Sequence, residues 1–175
     1  MQLIQEQLLL ERRHSGAVAN ACAAALGQSD GSAAALARLR QAGVDYLVLA
    51  LTAFEERDQR LADYVRDVPA QQPGELAQAL GRRGSSREAL TLLEAAVSGR
   101  SSAWREFADF FSGCWSTRRE AIEGSLGRLS TSEWRALSGV DADSILHERQ
   151  AYARVRASVP AGVDLDLPAA GGERA

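Results

Sequence analysis

The chain has 175 residues, of which 46% are hydrophobic, 25% charged and 6% aromatic, and its formal net charge is −3. That length suits one domain with a hydrophobic core. All 20 basic residues are arginine, which excludes a P-loop lysine, a Schiff-base lysine and the usual pyridoxal-phosphate chemistry.

Ala, Leu, Arg, Glu and Gln dominate, and this composition favours helix almost throughout. The first helix is expected over 2–26, ending at Gly27 as a C-cap. Asp30, Gly31 and Ser32 turn the chain. A short helix over 33–41 then leads through Gly43 into a second main helix over 44–66. Pro69 and Pro73 bracket a linker, and a minor helix covers 75–80. Ser85 with Glu88 forms a capping box that opens the next helix.

From there, the apolar positions 90, 93, 97, 104, 107, 111, 115, 122 and 126 hold one helical phase. A single helix over 86–127 would overhang its neighbours, so a break is expected at 98–102. Thr117 with Glu120 offers a further restart. Ser130 with Glu133 caps a short helix around Trp134, and Asp141 or Asp143 opens the last helix, over 142–157. The tail over 160–175 is rich in Gly, Pro and Ala and is expected to be loose. Strand alternation bounded by hairpin turns is missing. The expected fold is all-α, an antiparallel up-and-down four-helix bundle with additional short helices, in one domain over 1–159.

The two cysteines, Cys22 and Cys114, are far apart, which excludes a disulfide framework and a cysteine-built zinc site. Cys22 reads as a small core hydrophobe and Cys114 as a buried thiol. His14 and His147 are equally separate, which excludes an HExxH protease. Apolar runs fall far short of the ~20 residues that span a bilayer, and the N-terminus lacks the basic and continuous apolar regions of a signal peptide. A cytoplasmic chain is expected. Acidic residues interleave the arginine pairs, so neither nucleic acid nor a membrane surface is an expected partner.

The informative residues are ionisable groups on faces that should be buried. Glu11 and His14 share the face of Ile4, Leu8, Val18 and Cys22. Asp58 lies between Phe54 and Leu61, with Glu55 at the edge of that stripe. Glu148 and Arg149 share the face of Ile145, Tyr152 and Val155, and Arg118 lies with Trp115 and Ile122. Buried charges must be paired, neutralised or bound to a metal. In the metal reading, Glu11, His14, Glu55, Asp58 and Glu148 would ligate iron or another divalent ion, since Glu-x-x-His is the spacing used in carboxylate-bridged bundles. In the structural reading, which carries more weight because inward arginines repel a cation, Arg118 and Arg149 form a buried ion-pair network with Glu11, Asp58 and Glu148. Five of the ten aromatics, Trp104, Phe107, Phe110, Phe111 and Trp115, cluster in one stretch. Four fit a core stripe, while Phe110 falls off it and suits a partner surface. A pocket for an apolar ligand along that cluster is a third reading.

The segments LLLERRHSGAVANACAAAL and DYLVLALTAFEERDQRLADYV resemble the first two helices of bacterial hemerythrin-like bundles, over roughly the first third of the chain. The resemblance implies a helical bundle, with His14 matching a first iron ligand. Phe54 and Asp58 fall at the spacing of that family's second-helix His-x-x-x-Glu, but Phe54 cannot bind metal. A His-x-x-x-His in the third region is missing. The expected function is therefore a non-enzymatic accessory or regulatory subunit acting through a protein partner or homo-oligomer. The alternative is a hemerythrin-like or ferritin-like metal centre used in iron binding, oxygen sensing or oxidation.

Overall fold

A computed structural model describes residues 2–25, 33–67, 84–97, 102–110 and 130–165. The described residues are almost entirely helical, with no strand among them. In chain order the helices are α1 (Gln2–Ala25), α2 (Ala33–Asp67), α3 (Gly84–Val97), α4 (helical at 102–110), α5 (Thr131–Ser138) and α6 (Ala142–Ser158). None of the four prolines falls inside these helices, as the missing N–H of proline requires. Among the described residues no helix is long and apolar enough to cross a membrane.

Helix α2 is the spine. Its 35 residues span about 50 Å, and it packs against α1, α3, α5 and α6. The main core joins Val18 and Cys22 of α1, Leu39, Tyr46, Leu47, Leu51 and Phe54 of α2, Leu93 of α3, Trp104 and Phe107 of α4, and Val155 of α6. Trp104 and Phe107 meet edge to face, with ring centroids 6.1 Å apart. A second, smaller core at the other end gathers Leu8, Trp134, Leu137 and Val140.

The break expected between 33–41 and 44–66 does not occur, because α2 runs continuously through Gly43. The reason is packing. Gly43 is buried, and a Cβ placed there would stand 2.5 Å from Cys22 Sγ on α1. The missing side chain lets the two helices approach closely. Cys22 itself is buried, and burial pushes its thiol up to about 12, with Arg40 opposing the shift. Gly43→Ala is expected to cost about 1–2 kcal/mol, because overpacking a full site outweighs the better helix propensity of alanine. Adding Cys22→Ala should recover part of that loss in urea unfolding, since it removes the atom in the way.

Other boundaries follow the sequence more closely. The expected break at 98–102 falls mostly on 98–101, which lie outside the described residues; helix is described up to Val97 and from 102. Gly27, the 69–73 linker, the 75–80 helix and the stretch 111–129, with Cys114, Trp115 and Arg118, lie outside the described residues. The tail is not wholly loose: Val163 is buried in the main core and Leu165 packs against it. The apolar side chains of that alternating stretch explain the docking. Residues 166–175 lie outside the described ones.

Two capping boxes set the entry to the site. Asp141 caps α6, accepting from Ser144 N at 2.7 Å while Ser144 Oγ accepts from Asp141 N at 2.9 Å. At α5, Glu133 Oε2 accepts from Ser130 N at 2.7 Å and from Ser130 Oγ at 2.6 Å. Tyr64 of α2 donates to Glu133 Oε1 at 2.5 Å. The bond from the Ser130 hydroxyl, then those from Tyr64 and the Ser130 backbone, hold the Glu133 carboxyl down to about 2 from its usual 4.5. A depressed carboxyl contributes stability above its unfolded value that is lost as pH falls through the folded one. Wild type is therefore expected to lose stability between those two values, and Glu133→Gln should flatten that part of the pH–stability curve.

Candidate functional site

Three helices bring their polar side chains to one level. On α1, Gln7, Glu11, His14 and Ser15 fall at i, i+4, i+7 and i+8, one face of a helix, and all four are buried. On α2, Tyr46, Ala50, Phe54 and Arg57 continue one buried stripe. On α6, Glu148 and Tyr152 lie one turn apart and face inward.

The acids and bases pair with one another. Glu11 Oε2 accepts from Arg57 Nη2 at 3.2 Å, and Glu11 Oε1 accepts from Gln7 at 3.3 Å. Arg57 Nε donates to the Ser138 carbonyl at 2.7 Å, and its guanidinium lies 5.6 Å from the Phe54 ring centroid. Arg60 Nε donates to the Leu137 carbonyl at 3.1 Å. Two arginines of α2 therefore cap the C-terminal carbonyls of α5, where the helix dipole favours positive charge. Gly139 completes that terminus in the left-handed conformation, at φ 63°. Its bare Cα faces the Arg60 guanidinium, which would meet any Cβ there.

The second half of the network centres on Glu148. Its Oε1 lies 2.7 Å from His14 Nδ1 and accepts from the Tyr46 hydroxyl at 2.8 Å. With Glu148 ionised, Nδ1 carries the proton and donates. His14 stacks on Tyr152, ring centroids 3.6 Å apart and planes 12° from parallel, and Tyr46 meets Tyr152 at 5.8 Å. Ser15 Oγ donates to the Glu11 carbonyl at 2.7 Å. Burial, then the charge of Glu148, push the Tyr46 phenol above its usual value, so it stays a donor. Burial lowers the Arg57 guanidinium, and Glu11 opposes that shift.

The residues singled out from sequence divide accordingly. Glu11, His14 and Glu148 come together. Glu55 is half-buried on α2, and its Oε2 has no hydrogen-bond partner among the described residues. Asp58 belongs to α2, but its side chain is outside those described, as is Arg118. Arg149 is exposed and is not part of the buried network. It follows Glu148 by 100° of helix turn, which carries it off the inward face. The guanidinium that serves the network is Arg57, which sequence reasoning missed along with Tyr46. From Phe54, Arg57 lies 60° to one side and Asp58 40° to the other, so a stripe drawn through Asp58 passes Arg57 by.

Among the described residues, no group of three or more His, Cys, Asp or Glu side chains is placed to hold a metal ion. The donors present fit a hemerythrin-type centre poorly, because a buried guanidinium already occupies Glu11 and would repel a cation beside it.

A cavity of about 180 Å³ opens beside the network. Its walls come from Tyr46, Ala53, Arg57 and Arg60 of α2, from the Ser138–Gly139 corner, and from His147 and Glu148 of α6. It does not lie along Trp104, Phe107 or Phe110, where the apolar-ligand reading expects a pocket. No protein-family model, curated protein or solved structure matches this chain.

Proposed function

We propose that this chain is a four-helix, up-and-down bundle with additional short helices, and that it works as a non-enzymatic accessory or regulatory protein through contacts with a partner or a second copy. The observation that carries this reading is the pairing of Glu11 with Arg57 and of Glu148 with His14 and Tyr46 across three helices. Glu11 is committed to Arg57 and Gln7, and His14 and Tyr46 to one oxygen of Glu148. Such a network ties α1, α2 and α6 together and leaves the surface to act. The exposed apolar side chains Val48 of α2 and Leu146 of α6 are the first places to look for a contact.

The test is light scattering and cross-linking of wild type against Val48→Glu and Leu146→Glu. The expected result is a homo-oligomer or one stoichiometric partner, lost in at least one variant with helicity unchanged. A monomer at high concentration that captures no stoichiometric partner contradicts the proposal. The second reading, a hemerythrin-like or ferritin-like metal centre, draws on the convergence of Glu11, His14 and Glu148, and metal analysis separates it from the first.

A further inference from the structure

Helices α2 and α6 pack against each other in opposite directions. Tyr46 of α2 meets Glu148 and Tyr152, whereas Arg57, about three turns further on, reaches Ser138 just before α6 begins. The outward ridges of the two helices differ in charge. Along α2 from 41 to 59, the exposed charged side chains among those described are Asp45 and Glu56, with no exposed cation. Asp45 accepts from the neutral Gln41, and Glu56 has a long 3.8 Å contact with Arg60. Along α6 from 146 to 157, the exposed charges beside His147 are Arg149, Arg154 and Arg156, with no exposed anion. Among the described residues, none of these three arginines enters a salt bridge. Each ridge also carries exposed apolar side chains, Val48 and Leu49 on α2 and Leu146 on α6. Leu49 and Glu56 of α2 and His147 of α6 are exposed and line the same cavity, so both ridges border one opening.

We propose that these ridges are the interface with a second copy of this chain, α2 of each copy lying on α6 of the other about a two-fold axis. The proposal rests on the reading that the chain acts through protein contacts, and it names the partner. Charge selects that partner. An acidic ridge laid on its own copy meets repulsion, and so does a basic one, but each finds its opposite on the neighbouring helix of an identical molecule. A two-fold axis makes both contacts at once, because an isologous interface uses every patch twice. The charges fix the pairing and disfavour α2 on α2 or α6 on α6. Val48, Leu49 and Leu146 add apolar area that stays exposed within one copy. Such a dimer would also close over the opening of the cavity.

Sedimentation equilibrium of the full chain tests this with two charge-reversed variants, Asp45→Arg/Glu56→Arg on α2 and Arg149→Glu/Arg154→Glu on α6. Wild type is expected to be a dimer at micromolar concentration. Each variant alone should dimerise at least about 100-fold more weakly, because both contacts of its homodimer become like-charged. An equimolar mixture of the two variants should regain a dimer, since the reversed α2 then meets the reversed α6 and the native α2 meets the native α6. Circular dichroism checks that the variants fold. Wild-type dimerisation should also weaken by about tenfold or more between low salt and about 0.5 M salt, a readout that needs no variant. A monomeric wild type, a dimer indifferent to salt or to both reversals, or a mixture of folded variants that stays monomeric overturns the proposal. A monomer that still holds a different stoichiometric partner through Val48 or Leu146 overturns it too, and leaves the accessory reading standing.

Discussion

Arg57→Met is expected to destabilise the protein by about 3–5 kcal/mol, because breaking a buried pair strands the surviving charge. Methionine keeps an unbranched apolar stem at this position, so the loss reports mainly on the guanidinium and its contacts. Among the described residues Glu11, itself 6% exposed, would keep the 3.3 Å bond from Gln7 alone on its carboxylate. The Ser138 carbonyl at the end of α5 would also lose its 2.7 Å donor. Removing both charges in Glu11→Gln/Arg57→Met should recover much of the stability, since an uncharged pair needs no counter-ion. Urea unfolding of the two single variants and the double variant measures the coupling. A loss below about 1 kcal/mol for Arg57→Met would mean that the pair behaves as a solvated surface bridge.

The second large effect is expected from Glu148→Leu. This change removes the side-chain partner of His14 at 2.7 Å and the acceptor of Tyr46 at 2.8 Å. Each buried donor left without an acceptor costs about 1–3 kcal/mol, so the variant should lose about 2–4 kcal/mol. Tyr46 keeps a weak alternative acceptor in the Glu11 carbonyl at 3.5 Å, which sets the loss below the sum of two full penalties. Tyr46→Phe added to Glu148→Leu should regain stability, because it removes one stranded hydroxyl. Denaturant midpoints decide it: additive losses in the double variant would show that the two side chains do not share a bond.

Much of this arrangement is legible in the sequence. The spacing of Glu11 and His14 within an apolar stripe places both inside α1, and the Ile145–Tyr152–Val155 face places Glu148 opposite them. Short-range chemistry is the most readable, as the capping box at Ser130 shows, because it depends on residues three apart; at the last helix the sequence leaves Asp141 and Asp143 as alternatives, and the cap is Asp141. What the sequence hides is rotational phase and close approach. Arg57 lies beside the stripe drawn through Phe54, and only the positions of α1 and α5 show that it turns inward. Gly43 reads as a break until Cys22 is found against it. Arg149 reads as a network member because it neighbours Glu148, although 100° of turn separates the two. The C-terminal Val163 and Leu165 lie among turn-forming residues, and their docking depends on a surface built by distant helices.

The central claim is that the inward acids and histidine bond to protein groups and not to a resident metal. Its most direct test is metal analysis of the chain purified without chelator or histidine tag, combined with the unfolding midpoint before and after chelation. We expect substoichiometric metal and an unchanged midpoint. One or two ions per chain, whose removal lowers the midpoint and whose binding is lost in Glu148→Gln, would contradict the account.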